Sequence, residues 1–402
     1  MRILFFSNIF PQPHNRLRGI YCLRLCQALA ARHDVRVVSP WSWLDQLRHR
    51  RAGNQLAADL GGLGVEYPTF YYPPGVLRNT YAWFMWASAR RSLGHVMRSF
   101  APQAVVSYWT HPDGAVAVRA ARRDGVPAAV MVGGSDALLL TRQGGRRRRI
   151  VRVLEAADAV VTVGRDLREK VIGLGVRPEK VHVVARGIDT DLFAPGDQAE
   201  ARRRLNIPAG DRVLVWVGNM VPLKGLDTLL EACARLAAGG QFVRVYLLGH
   251  GPQRKALEKD CAARGLSGLV SFVGTVPQEA LPDWYRAADL TVLPSWSEGV
   301  PNVLRESLAC GTPFVASRVG GIPELVQDPV SRLVPPRDAA AWAEAVAQAL
   351  AARASAGPVR VRVTGSWDES AERLVRVLRP LVAERQEPAG GQRLPAAALG
   401  GS

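Results

Sequence analysis

The segment SWSEGVPNVLRESLACGTPFVASRVGGIPELV, Ser295–Val326, decides how the rest of the chain is read. It follows a buried apolar run, Leu290–Leu293, that stops at Pro294. Pro301 suits the first turn of a helix, where its missing N–H sacrifices no hydrogen bond. Val303, Leu304, Ser307 and Leu308 then make one small-to-apolar face at helical spacing. Gly311 supplies the stop, and Phe314-Val-Ala starts the next strand. Two carboxylates fall in this unit, Glu298 in the loop and Glu306 on the helix. Asn302 and Glu306 stand at i and i+4, so they share a helix face. The pattern aims Asn302, Glu306 and the amides near Gly299 at one point, which suits an anion together with hydroxyl groups.

At 402 residues the chain is long enough for two domains with separate cores. Hydrophobic residues make up 48% and charged residues 22%, a globular balance. The formal net charge of +17 suits nucleic acid, anionic lipid or an acidic substrate. Cys22 and Cys26 are helically spaced with no second metal-like pair, so all five cysteines read as reduced core thiols. Met1-Arg-Ile-Leu-Phe-Phe is broken by Asn8 and Pro11 too soon for a signal peptide, and no apolar run is long enough to span a bilayer. The expectation is a cytoplasmic protein, free or resting on the inner membrane face.

The strand–loop–helix pattern repeats along the chain. Ile3–Ser7 is a buried first strand whose loop runs from Asn8 to Gly19, followed by a helix at Tyr21–Arg32 and a strand at Val35–Ser39. Residues 41–100 carry the weakest pattern. Within them Tyr81–Arg98 holds Trp83, Phe84, Met85 and Trp86, then Arg90, Arg91 and Arg98. It reads either as packed core with a basic edge or as an amphipathic face for a membrane or an acceptor groove. Strand Ala104–Trp109 ends in Thr110-His111-Pro-Asp113-Gly114, and strand Ala128–Val132 ends in Gly133-Gly134-Ser135-Asp136. Arg146, Arg147, Arg148 and Arg149 open the next helix, where positive charge opposes the macrodipole. They mark a solvated face or a contact for an anionic partner. Strands Ala159–Val163 and Val181–Val184 complete the first half, and the short links indicate a doubly wound parallel sheet.

In the second half, Gly218-Asn219-Met-Val-Pro-Leu-Lys224-Gly225 lies between the strand Arg212–Val217 and an amphipathic helix. A glycine-bounded loop with one lysine at the carboxyl end of a parallel strand is the form of a phosphate cradle. Gly249-His-Gly251 follows the next strand, and Phe272-Val-Gly274-Thr-Val276 ends another. Asp189-Thr-Asp191 has the form of a metal-binding carboxylate pair, or is part of a hinge around Gly187 and Phe193.

Together these motifs resemble the retaining nucleotide-sugar glycosyltransferases of family 4, which have the GT-B fold. The family pattern E-G-x-P-N, a second glutamate, A-C-G-x-P-x-V-A and G-G-x-P-E is present from Glu298 to Glu324. Ala185-Arg-Gly187-Ile-Asp189-Thr-Asp191-Leu-Phe193 matches the family's interdomain G-[VI]-D-x-x-x-F, which favours the hinge over a metal site. Two positions depart from the pattern. Asn219 stands where the family loop G-R-x-x-x-x-K-G has arginine, and Gly133 where H-G-x-D has histidine.

The resemblance implies an α/β GT-B architecture of two Rossmann-like domains facing a cleft. Residues 1–195 would bind acceptor and 196–362 the nucleotide sugar, with a helix at 363–385 crossing back and a disordered tail at 386–402. It implies catalytic roles for Glu298, Lys224 and Asp136. Donor binding falls to Gly19, Asn219, Gly249, Gly251, Val276, Gly299, Val300, Pro301, Asn302 and Glu306. His111, Gly133 and Ser135 are the sugar-side candidates. The nucleotide diphosphate sugar is a co-substrate, with no cofactor and no metal. The expected acceptor is a glycan or a lipid-linked sugar in envelope or polysaccharide synthesis. An anionic membrane surface meeting Arg146–Arg149 is a further expected partner, and nucleic acid is not. The rivals are a phosphorylase or epimerase of the same fold, and a degenerate subunit that binds nucleotide or glycan without turnover.

Overall fold

The computed structural model describes residues 1–386 apart from 14, 17, 50–59, 139, 143 and 357–364. The expected disordered tail, beyond residue 386, lies outside the described residues. The strands are β1 (Arg2–Phe6), β2 (Asp34–Val38), β3 (Trp41–Ser42), β4 (Gly64–Glu66), β5 (Thr69–Phe70), β6 (Ala104–Tyr108), β7 (Ala128–Met131), β8 (Ala159–Thr162) and β9 (Val181–Val183). They continue with β10 (Val213–Val217), β11 (Arg244–Leu248), β12 (Val270–Gly274), β13 (Leu290–Leu293), β14 (Phe314–Ser317) and β15 (Arg332–Val334). One sheet has the order β4-β2-β1-β6-β7-β8-β9 and a second the order β12-β11-β10-β13-β14-β15. The strand pairs in register run parallel, as doubly wound sheets require.

Parallel strands are covered on both faces, so they read as unbroken apolar runs. Ile3, Leu4, Phe5 and Phe6 are fully buried, and β6, β7, β8, β13 and β14 are buried throughout. The helix Leu226–Ala238 turns Leu226, Leu229, Leu230, Cys233 and Leu236 inward at helical spacing. It packs on the helix Ala339–Ala356, whose Trp342 is fully buried beside the second sheet. All five cysteines are buried free thiols. No helix among the described residues is long and apolar enough to cross a membrane.

The chain groups into two compact units. One holds Met1–Met131, Arg148–Val161 and the chain from Glu372 on; the other holds Val132–Arg147 and Thr162–Ala371. The expected bounds lay at 195/196, 362/363 and 385/386, with residues 363–385 crossing back. The last helix, Trp367–Gln386, spans the cut between Ala371 and Glu372. Its later part belongs to the first unit, where Glu372 pairs with Arg32 and Arg385 lies 3.0 Å from Asp158. Residues 41–100 resolve into the two-residue strands β3 and β5, a helix at Trp43–Arg48, β4 and the long helix Tyr81–Phe100. That helix buries Met85, Ala89, Leu93, Val96 and Met97, while Trp83 remains 61% exposed.

Candidate active site

In the second sheet the strand order reverses between β10 and β13. Ligands of open parallel sheets bind outside the carboxyl ends of the strands at such a switch point. The loops that leave those two strands are the ones carrying Lys224 and Glu298. They are tied to each other by the Trp296 amide, which donates to the Leu223 carbonyl at 2.8 Å. Gly225 adopts a left-handed φ of +63°, and a Cβ there would collide with the Pro294 carbonyl. Glycine is thus required where the cradle loop meets the end of β13.

A cleft of about 330 Å³ opens at this point within the second unit. It is lined by the predicted Gly133, Lys224, Glu298, Gly299, Val300, Pro301 and Asn302. Lys224 Nζ lies 2.6 Å from Glu298 Oε1, with both side chains largely shielded from solvent. Pro301 precedes the helix Asn302–Ala309, as its fixed φ allows. Among the described residues Asn302 Oδ1 is buried with no hydrogen-bond partner, an acceptor with spare capacity.

Glu306 does not line the cleft. Its Oε2 accepts a 2.9 Å hydrogen bond from the Tyr285 hydroxyl. Burial pushes the Glu306 carboxyl up from its ordinary value to about 7; the Tyr285 hydrogen bond and the Arg305 charge pull the other way. Tyr285 in turn stands 6.1 Å, centroid to centroid, from the buried Phe193 ring of the 187–193 motif.

The remaining predicted residues hold the surroundings. Asp136 is fully buried, and its Oδ1 accepts from the Gly134 and Ala137 amides at 2.9 and 3.2 Å. These bonds close the turn that carries Gly133, and Asp136 is outside the lining of the cleft. Ser135 opens the short helix Ser135–Leu138. Asn219 is exposed and outside the lining. Gly249 packs its Cα against the Gly218 carbonyl and Gly251 against Met220, so these glycines bring the loops after β10 and β11 together. Val276 packs on the cluster around Tyr285. Gly19 and His111 belong to the first unit. Gly19 precedes the helix Ile20–Ala30 against the Ile9 carbonyl, and His111 sits half-buried in the turn after β6. Asp189 Oδ1 accepts from the Leu192 amide at 3.1 Å, a turn contact within the 187–193 motif. Among the described residues no cluster of three or more His, Cys, Asp or Glu side chains is arranged to hold a metal.

The sequence reading missed three residues. Arg186 lines the cleft. Arg305, buried on the helix of Asn302, donates to the Arg186 carbonyl. Tyr285 holds Glu306. Arg186 had one visible signal, a charge in the loop after β9 immediately before the motif glycine Gly187.

Two family models match, "Glycosyltransferase Family 4" over residues 19–192 and "Glycosyl transferases group 1" over residues 211–352. The D-inositol 3-phosphate glycosyltransferase of Thermobispora bispora is 39% identical over 241 residues, 56% of this chain and 56% of that protein. The protein of the same name from Mycobacterium tuberculosis is 36% identical over 259 residues, 59% and 52% of the two chains. The chain thus spans about half the length of the curated relatives it matches. Among solved structures, sucrose-phosphate synthase from Thermosynechococcus elongatus superposes with a TM-score of 0.74 at 22% identity, over 95% of this chain and 96% of that one. Anabaena Alr3699/HepE in complex with UDP gives 0.70 at 19%, over 96% and 99%. With its two parallel sheets and the motifs from Gly187 to Glu324, the chain has the GT-B fold and belongs to glycosyltransferase family 4.

Proposed function

We propose that the protein transfers a sugar from a nucleotide diphosphate sugar to a glycan or lipid-linked acceptor, with retention at the anomeric carbon and without a metal. The observation that carries this reading is the cleft at the β10/β13 switch point, where Lys224, Glu298 and the buried Asn302 acceptor converge. UDP and UDP-glucose, bound in the Anabaena structures, make uridine the first base to test. Lys224 and the amides of the Gly299 loop stabilise the charge that builds on the departing diphosphate, a contribution of roughly 3–4 kcal/mol per donor when removed. Glu298 orients Lys224 and takes sugar hydroxyls, and Glu306, half-buried outside the cleft lining beside Tyr285, takes the ribose of a nucleotide that extends past it. The departing phosphate accepts the acceptor's proton on the same face, so no protein base is needed where Gly133 replaces histidine.

The test is release of nucleoside diphosphate from UDP-glucose, UDP-galactose, ADP-glucose and GDP-mannose, with product configuration read by NMR and transfer repeated in excess EDTA. Retained nucleotide binding without turnover on any donor would favour the degenerate-subunit reading. Inositol phosphate belongs in the acceptor panel because the relatives are named for it.

Peripheral attachment is part of the proposal. Arg147, Arg148 and Arg149 are exposed, and Tyr71, Val76, Leu77 and Trp83 expose apolar surface. Basic residues near an anionic bilayer contribute about 1 kcal/mol each at low salt. Replacing Arg146–Arg149 by glutamine should release the protein from anionic vesicles in a sedimentation assay while donor affinity is kept. Equal sedimentation of parent and variant would refute the attachment.

A further inference from the structure

A second cavity, of about 380 Å³, lies in the same unit as the cleft but at the other end of the second sheet. Arg212 and Asp289 on its wall immediately precede β10 and β13, the strands whose carboxyl ends send out the Lys224 and Glu298 loops. β10 has five residues, so about 15 Å of sheet separates the two places. Arg202, Arg353 and Asp211 complete the charged lining, and Leu350 adds apolar surface. Three guanidiniums thus face two carboxylates.

Both carboxylates are already engaged. Asp289 Oδ2 accepts from Arg202 and the Val213 amide, and its Oδ1 accepts from Gln198 Nε2. Asp211 pairs with Arg244. Arg202 also donates to the Ala287 and Ala209 carbonyls, so its fork is occupied. Arg353 is different. It is 8% exposed, and its Nη1 is buried with no hydrogen-bond partner among the described residues. Burial pulls its guanidinium below the ordinary value; the Asp289 charge opposes this and the Arg202 charge adds to it. The sequence that follows its helix, residues 357–364, holds Arg360 and Arg362 and no acid. The last turn of the helix Ala339–Ala356 tolerates a cation, but that leaves the donor hydrogen unmet. A buried donor without a partner is unfavourable, and an oxyanion in the cavity would supply one.

We infer that this cavity binds a phosphate group, held by Arg353 with the exposed Arg212 at its rim. A planar guanidinium offers paired, charge-assisted donors to a tetrahedral oxyanion, and Arg353 has donor capacity to spare. The volume is in the range of small-molecule sites, so it admits either free phosphate or the phosphate of a small metabolite. The ligand is not the sugar donor, and the inference stands apart from the nucleotide-sugar reading.

Calorimetric titration of the full chain with inorganic phosphate, glucose 6-phosphate and glycerol 3-phosphate tests it, at ionic strength matched with sodium chloride. The parent should bind at least one of the three, and Arg353→Met should weaken that binding by about tenfold or more. Lys224→Ala should leave it within about twofold, because that lysine sits at the other end of the sheet. A monoester that binds more tightly than inorganic phosphate identifies a phosphorylated metabolite as the occupant; the reverse order identifies the free ion. Without phosphate, Arg353→Met should melt no lower than the parent, since an apolar side chain of similar volume replaces an unmet buried cation. Phosphate should then raise the midpoint of the parent and not that of the variant. A lower midpoint for the variant would show that the protein already satisfies the guanidinium, and would overturn the inference. So would no binding by the parent, equal affinity in Arg353→Met, or a loss confined to Lys224→Ala. Should Arg353→Met fail to fold, Ala351→Glu decides. This exposed alanine lines the cavity, and a carboxylate there should weaken phosphate binding by about tenfold; unchanged binding would overturn the inference.

Discussion

Lys224 Nζ and Glu298 Oε1 stand 2.6 Å apart across two loops that are far apart in sequence. The pair ties the loop after β10 to the loop after β13, and the diphosphate of the proposed donor would have to compete with Glu298 for the lysine. Removing only the lysine leaves a shielded carboxylate facing the anion. Lys224→Ala should therefore weaken UDP binding by about 1.5–3 kcal/mol. The double variant Lys224→Ala/Glu298→Gln should bind UDP better than Lys224→Ala, because the repulsion is gone. Calorimetry on the parent, the two single variants and the double variant gives the coupling directly. A double variant weaker than both single variants would contradict this picture.

The raised carboxyl of Glu306 makes a pH prediction. Its value is about 7 in the folded chain and lies in the ordinary carboxylate range when unfolded. Between those two values the folded state binds the proton and the unfolded state does not, so stability falls as pH rises through that window. Above about pH 7 both states are ionised and this contribution is flat. The thermal midpoint of the parent, relative to Glu306→Gln, should drop from pH 5 to pH 7.5. Nucleotide affinity should move the opposite way, since an ionised Glu306 is the better acceptor for ribose hydroxyls. A parent–variant difference constant from pH 5 to 8 would refute the assignment.

Gly225 carries the contact between the cradle loop and the end of β13. An alanine there has both a left-handed φ and a collision with the Pro294 carbonyl to relieve. Gly225→Ala should cost about 1–3 kcal/mol of stability. Because the loops that shift hold Lys224 and Glu298, turnover should fall even at temperatures where the variant stays folded. Urea denaturation and donor hydrolysis at one temperature check both effects. Gly240, also left-handed at φ +75° but with open space around it, is the control: Gly240→Ala should leave turnover unchanged.

Much of this site was legible because parallel strands announce themselves as apolar runs and their carboxyl ends carry the glycines, Lys224 and Glu298. Helix limits moved by a residue or two, as at Ile20–Ala30 against the expected Tyr21–Arg32. The misses have physical causes. Strands β3 and β5 have two residues each, too few to show any period. Tyr285 meets Glu306 from another helix, and Arg186 joins Lys224 in the cleft lining only through the fold, so neither leaves a local pattern. Asp136 accepts the amides of its own turn, a local bond that a short acidic side chain beside glycines favours.

Arg202 and Asp289 give the clearest stability test outside the cleft. Arg202 is 8% exposed and lies 3.0 Å from Asp289 Oδ2. Asp289 also accepts from the Val213 amide at 2.7 Å and from Gln198 Nε2 at 3.2 Å, joining the helix Gln198–Arg204 to the start of β10. Removing the acid leaves the buried guanidinium its bonds to the Ala287 and Ala209 carbonyls but no counter-charge, beside Arg353, which is also cationic and largely buried. Removing the base leaves Asp289 with two other donors. The two substitutions are therefore unequal. Asp289→Ala should cost about 3–5 kcal/mol, and Arg202→Met about 1–2 kcal/mol because its volume is kept. Urea denaturation with an unchanged m-value measures both. UDP affinity of the folded variants should match the parent, since neither residue lines the cleft. Equal costs for the two substitutions would mean that the charge on Arg202 is solvated after all, and that the pair adds little to holding this helix in place.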